Sequence, residues 1–327
     1  MNPVPAIPGA RHAFSVVYPG SPMLRVRYRH GVVVGGHGFP DWVPYARAVV
    51  ELPGAAPGRT VDETRILDLL IANELIGEPL TPQGFTWAHL PTTGATGPTA
   101  ATRRVALVPI ELHGAFRHLG GVATLGVEHT RRGLDLGGTE RMGEYGSDEG
   151  LTEAAVAKVE DRLGYRLPEP YRDFLAFTNG GQPILPAVHP GFGFVVDQMF
   201  FGLAREDWLQ DLVYANDWFG DRLTPDHLAV SYVQGGLLAL QVRGPDTGSV
   251  WYWDDDDPRD TDDHDAADIR DRLLHRCADD FESFGRGLYQ VPYPLARLAR
   301  ETASRGAARL VTPDGMGAAL PKTKRAA

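Results

Sequence analysis

Between Gly84 and Gly121 the chain sets two strand-like runs in front of two histidines five residues apart, an order that few scaffolds accommodate. Gly84-Phe-Thr-Trp-Ala-His-Leu90 reads as one strand and Arg104 to Pro109 as the next, with a Thr/Gly/Ala-rich loop between them. A short helix is expected from about Glu111 to Leu119, carrying His113 and His118 toward Gly120-Gly121. Residues five apart on an ideal helix point about 140° from one another. The two imidazoles therefore converge only if one lies at the helix end or in a loop. Ahead of the hairpin, Thr60-x-x-Glu63 is a capping-box signature. Ile66, Leu67, Leu70, Ile71 and Leu75 then recur at helical spacing, and Gly77 and Pro79 end the helix.

Upstream, Arg25 to Val34 alternates as a strand would, and Asp41 to Leu52 holds another extended stretch. Gly35-Gly36-His37-Gly38 is a turn without a phosphate-loop lysine. Arg131 to Gly150 is Gly-rich and aperiodic and reads as a linker. Beyond it, Thr152 caps a helix stopped by Gly164, and Pro168 to Phe177 forms a second, closed by Asn179-Gly180-Gly181. Short strands follow at Phe192–Val196, Leu228–Val233, Leu237–Val242 and Val250–Trp253. A last helix is expected to carry Ile269, Leu273, Cys277, Phe281, Phe284 and Leu288 on one face. The class is α+β. The expected units are 1–130, a linker over 131–150, a second unit over 151–290, and a helical segment with a disordered tail over 291–327.

Charge separates the same two halves. Residues 1–130 hold 10 Arg and no Lys against 9 Asp and Glu, whereas residues 131–289 hold 15 basic against 31 acidic residues. Seven of the 11 histidines lie in the first segment. Two units of different chemistry follow from that division. Nine acids nearly cancel ten arginines, so charge alone does not mark the first half as a nucleic-acid binder. The single cysteine, Cys277, excludes an internal disulfide and a cysteine-cluster metal site. Without a visible secretory signal or a membrane-length apolar run, the expected compartment is the cytoplasm.

The first-half text resembles the WHH type of the HNH/endonuclease VII nuclease superfamily, found as toxin modules in bacterial polymorphic toxin systems. The matching pieces are Asp68-Leu-Leu-Ile-Ala-Asn73, Thr81-Pro-Gln-Gly84-Phe-Thr-Trp-Ala-His89, Leu107-Val-Pro109, His113, His118 and Gly120-Gly121. The resemblance implies a ββα-metal fold and a divalent metal ion such as Mg, Mn, Ni or Zn. That ion would hold the scissile phosphate while a neutral histidine takes a proton from water. It further implies His89 as the general base and His113 and His118 as metal ligands. Position 88 is where the family carries another ligand histidine, and here it is Ala88, which has no donor atom. Weakened metal binding is the expected consequence.

The second half resembles the SUKH superfamily of immunity proteins. Leu167-Pro-Glu-Pro-Tyr171 through Gly181, Leu228 to Gly236, Gly248-Ser-Val-Trp-Tyr-Trp-Asp254 and Ala278-Asp-Asp-Phe281 carry that likeness. The resemblance implies a small antiparallel sheet flanked by helices, acting by binding a nuclease toxin rather than by catalysis. Eight aspartates fall within Asp254 to Asp265. They read either as a phosphate-like docking surface, with Asp254, Asp255, Asp256 and Asp257 at its centre, or as a solvated loop. Trp251 and Trp253 share one strand face and are candidate partner anchors.

The expected function is therefore that of a toxin-immunity protein. Its SUKH-like domain binds a nuclease toxin, or the fused nuclease-like domain in cis, and the nuclease-like domain is impaired at Ala88. The alternative is an active metal-dependent endonuclease, with DNA as its partner, restrained by the attached immunity domain. No membrane partner is expected.

Overall fold

The computed structural model describes residues 15–56, 58–91, 102–118, 120–125, 134, 136, 139–142, 145–146, 150–203, 207–219, 222–257, 259–260 and 265–311. The loop after Pro91, Leu119, most of the expected linker, Asp262, Asp263 and the tail from residue 312 lie outside them.

Local chemistry sets the helix Val61–Ile76. The Thr60 hydroxyl accepts from the Glu63 amide at 3.2 Å while the Glu63 carboxylate accepts from the Thr60 amide at 3.2 Å, a reciprocal cap. Gly77 closes the helix in the left-handed region at φ 78°, its amide turned back onto the Asn73 and Glu74 carbonyls. The hairpin follows as expected, with Phe85–Leu90 antiparallel to Arg103–Pro109 and Trp87 opposite Leu107. Ala48–Leu52 pairs on the far side of Arg103–Pro109, which leaves Phe85–Leu90 at the sheet edge.

Period-two alternation then divides this sheet between two cores. Trp87, Val105 and Leu107 face the Val61–Ile76 helix, with Ile66, Leu67 and Leu69. Ala88, Leu90, Ala106 and Val108 face the other way, into a cluster containing Trp42 and Phe116. That cluster runs without a break into the second half through Phe219, Tyr232 and Leu237. At Gly114, a Cβ would overlap the Phe219 ring. The two halves are thus packed as one body around a shared apolar interior.

Two expected elements differ. Residues 25–34 are not one strand: Pro22–Arg27 is a helix, and only Val32–Val34 is extended, paired with Ser15–Val17. The decisive residues are Leu24 and Tyr28, both buried four apart, whereas Val26 is 81% exposed. Proline opening the helix supplies the right φ at no hydrogen-bond cost. The helix expected over 111–119 is a single turn, Ile110–His113, and residues 114–118 are turn and loop.

In the second half, helix Glu153–Leu163 is capped by Thr152 and stopped by Gly164, and Glu169–Thr178 is stopped by Asn179 at φ 47°. A four-stranded antiparallel sheet follows in the order His227–Val233, Gly236–Gln241, Val250–Asp254, Leu274–Ala278. Its fourth strand corrects the expected last helix. Ile269, Leu273, Cys277 and Phe281 keep a four-residue recurrence, but the chain passes through a helical turn ending at Leu273, a strand holding Cys277 and a new helix, Phe281–Gly287. Asp280 starts that helix by accepting from the Ser283 amide at 2.7 Å.

The C-terminal segment returns to the first half. Helix Tyr293–Ser304 lies along Val61–Ile76, adding Leu295, Leu298 and Ala299 to its core. Arg309–Val311 then pairs antiparallel with Ala48–Leu52, and Arg309 Nε donates to Glu51 at 2.6 Å. No described helix is long and apolar enough to cross a membrane.

Two histidines of the second half give this fold an acid limit. Burial lowers His189, packed on Phe194, and His227, beside Thr224, to about 4 each. A histidine depressed in the folded state contributes stability above its unfolded pKa near 6.5. That contribution is lost as pH falls from about 6.5 toward 4. It amounts to roughly 3 kcal/mol for each ring at the bottom of the window, less where the ring stays partly wet. Asp197, raised by burial to about 6, offsets part of this in the same range. The melting temperature should therefore drop between pH 7.5 and 4.5, and a flat profile would contradict the assignment.

Candidate functional site

Adjacent residues of the edge strand look in opposite directions, and this separates the expected site residues. Trp87 and His89 turn toward the helix Val61–Ile76. Trp87 Nε1 donates to Asn73 Oδ1 at 2.8 Å, and His89 Nε2 lies 3.0 Å from Asp68 Oδ2. Asp68 is fully buried and also accepts from Arg103, whose Nε is 3.0 Å away and whose second nitrogen is closer still. With Nε2–H donating to this carboxylate, His89 keeps its lone pair on Nδ1, the arrangement a proton acceptor needs.

Ala88 turns to the opposite face, where His113 and His118 stand. His113 ends the single-turn helix and His118 sits in the loop, so the condition set by their spacing is met and the ring centroids are 4.5 Å apart. The Trp42 indole lies 5.1 Å from each ring and fixes both. His118 Nδ1 donates to the Phe116 carbonyl at 3.1 Å, which frees its Nε2 as an acceptor. Burial drives both histidines below their ordinary pKa. The neighbouring imidazole and the positive charge of Arg222 push His113 down further, and Arg222 also lowers His118. Both rings are neutral at pH 7, as a metal-facing or proton-accepting imidazole must be.

The acidic end of the second sheet enters the same place. Tyr232 Oη bridges His113 Nδ1 at 2.8 Å and Asp255 Oδ2 at 2.7 Å, and Asp255 itself comes within 3.7 Å of His113. Arg65, one turn ahead of Asp68, contacts Asp254 at 3.3 Å and Asp256 more closely. Arg117 pairs with Asp260, while Asp257 pairs with Arg259 of its own loop. Gln234, in the hairpin turn, accepts from the Thr86 hydroxyl at 3.0 Å and the Trp87 amide at 3.2 Å, and so caps the open edge of the hairpin. Asp197 likewise accepts from the Thr81 amide at 3.1 Å. What remains open is a cavity of about 40 Å³ lined by Ala88, His89, His113, His118, Asp255 and Asp256, among others. It is of the order of one or two water molecules.

These donors do not close around an ion as they stand. His113 and His118 are paired, but Ala88 contributes nothing between them. Among the described residues, the trio whose donor atoms lie within 4.8 Å of one another is Asp254, Asp255 and Asp256, and Arg65 already reaches into it. Of the candidate anchors, Trp253 is in the core beneath the Arg222 guanidinium, and Trp251 is half-buried against His227.

Sequence reasoning did not single out Arg65, Tyr232, Gln234 or Arg222. Arg65 carried a usable signal, since it stands three residues before Asp68 and so on the same helix face. The others belong to the second half and meet the site only through tertiary packing.

A hairpin bearing His89, followed by the His113–His118 pair, is thus held edge-on by an acidic α+β unit. Residues 77–128 match the family of nucleases of the HNH/ENDO VII superfamily with conserved WHH. Residues 150–286 match the SMI1/KNR4 family, SUKH-1. The first half thus resembles WHH nucleases, which generally use divalent metal ions, and the second resembles SUKH domains, which in general bind nuclease toxins. The two likenesses together, nuclease-type and then SUKH-type, are of the toxin/immunity kind. A comparison with curated proteins finds no match.

Proposed function

We propose that the chain is a toxin-immunity protein acting in the cytoplasm, whose SUKH-like half binds and neutralises a WHH-type nuclease domain. The first such domain is the one in its own chain, and a related toxin offering the same surface is the partner in trans. The nuclease-like half is catalytically impaired because Ala88 occupies the position of a ligand histidine. The observation that carries this reading is the placement of Asp255 on His113, through Tyr232, beside the Arg65–Asp254–Asp256 cluster. A binding module whose carboxylates stand on the histidine pair blocks access to it and adds negative charge where a phosphate would approach.

A second reading, an endonuclease active on DNA and held in check, has one observation in its favour. The buried Asp68 orients His89 as it would orient a working base.

Plasmid nicking with magnesium, manganese, nickel or zinc separates the two. The protein as it stands is expected to be silent. Ala88→His should introduce metal-dependent cleavage, most strongly beside Asp254→Asn/Asp256→Asn, and His89→Ala should remove it. Robust cleavage by the unmodified chain that disappears with His89→Ala would establish the second reading instead.

A further inference from the structure

Arg65 is placed where an oxyanion, rather than a cation, belongs. Its side chain is 11% exposed and its guanidinium faces two carboxylates at once, Asp254 and Asp256. Both carboxylates meet it at the same nitrogen, Nη2, so one end of the guanidinium gathers two anionic oxygens. Beside it, Gly120 leaves the space that the second of these carboxylates occupies: a Cβ at 120 would overlap the Asp256 oxygen. Gly121 lies flat on the edge strand, where a Cβ would overlap the His89 carbonyl. The floor of this slot belongs to the first half, as do His113 and His118, which line the same cavity. Everything filling it comes from the second half.

We propose that Arg65, Gly120 and Gly121 form a slot for a nucleic-acid phosphodiester, and that Asp254 and Asp256 fill it by imitating the phosphate oxygens. The slot rests on the reading that the two halves engage one another in cis. It adds a named binding residue outside the stretch that matches the nuclease family, since Arg65 precedes residue 77. Two oxyanion oxygens at one guanidinium and a glycine floor without side-chain bulk, with His113 and His118 alongside, suit a tetrahedral diester. Nucleic acid and the acidic turn then exclude each other.

The test uses the full chain and fluorescence anisotropy with short labelled DNA and RNA, at low and high salt. Asp254→Asn/Asp256→Asn is expected to bind oligonucleotide about tenfold more tightly than the parent. Arg65→Gln added to that pair should abolish the gain, with circular dichroism verifying the fold. Inorganic phosphate competing as well as oligonucleotide phosphate would reassign the slot to a free anion and overturn the nucleic-acid proposal. A gain that survives Arg65→Gln would also overturn it, because charge removal alone would then explain the effect. Hydrogen exchange over residues 110–125 reports separately on cis engagement. Faster exchange without tighter binding sinks the slot and leaves the capping intact as a reading. Unchanged exchange in both the asparagine pair and Asp254→Lys/Asp256→Lys sinks the capping and the slot together.

Discussion

Replacing Asp68 by Ala is expected to cost about 3–5 kcal/mol of unfolding free energy, as breaking a buried ion pair does when one charge is left behind. Asp68 has no exposed surface and holds both Arg103 and His89. The Arg103 side chain is 4% exposed, and among the described residues its Nη1 already has no hydrogen-bond partner. Removing the carboxylate strands a guanidinium in the sheet–helix interior, and water cannot reach it cheaply. Urea unfolding would read the loss directly. Asp68→Ala/Arg103→Leu should recover a large part of it, since an apolar pair of similar volume replaces two desolvated charges. A cost under about 1 kcal/mol for Asp68→Ala would show that water reaches the pair. The same variant frees the His89 ring, so this aspartate ties the stability of the scaffold to the orientation of its candidate base.

How far this site could be read from sequence follows from the range of the interactions involved. Trp87, His89, His113 and His118 were identifiable because a hairpin and a short turn bring them near one another within a few dozen residues. Their spacing even set the condition, met by the loop at His118, under which the rings could converge. The opposed directions of Ala88 and His89, set by strand alternation, are a finding of the structure. Asp254 to Asp256 remained open between a docking surface and a solvated loop, because composition does not say which basic group a carboxylate will meet. Arg65 lies 189 residues from Asp254 in sequence, and that pairing depends on the whole assembly.

The fold shows the same division. The Thr60–Glu63 box and the stops at Gly77, Gly164 and Asn179 are set by neighbouring atoms and were legible. Where tertiary pairing competed with a local pattern, pairing prevailed. Leu274–Ala278 fits a helical stripe, yet Val250–Trp253 offered an unpaired strand edge and the chain completed the sheet there. The tail carried a helix in its sequence but no sign of where that helix would dock. Arg309–Val311, with only three paired residues, has too little periodicity to announce a strand.

That returning tail carries the second large effect. A chain ending at Gln290 loses Leu295, Leu298, Ala299 and Ala308 from the core around Val61–Ile76, together with the strand covering Ala48–Leu52. Apolar burial on that scale is of the order of 5 kcal/mol, comparable with the whole stability of a small domain. The bared strand edge adds a route to aggregation. The truncated chain is expected to lose amide protection across 48–52 and 61–76 while residues 153–178 and 227–254 keep theirs. A synthetic peptide covering 291–311 should restore the lost protection in trans. Unchanged protection in the truncated chain would mean that the first half folds without its C-terminal cover. If the loss occurs, the SUKH-like half is tied to the nuclease-like half at both ends of its sequence. A single cut between residues 131 and 150 would then leave the two joined through the Tyr293–Ser304 helix. Capping held in this way responds to competition at the Arg65 slot rather than to cleavage of the connection.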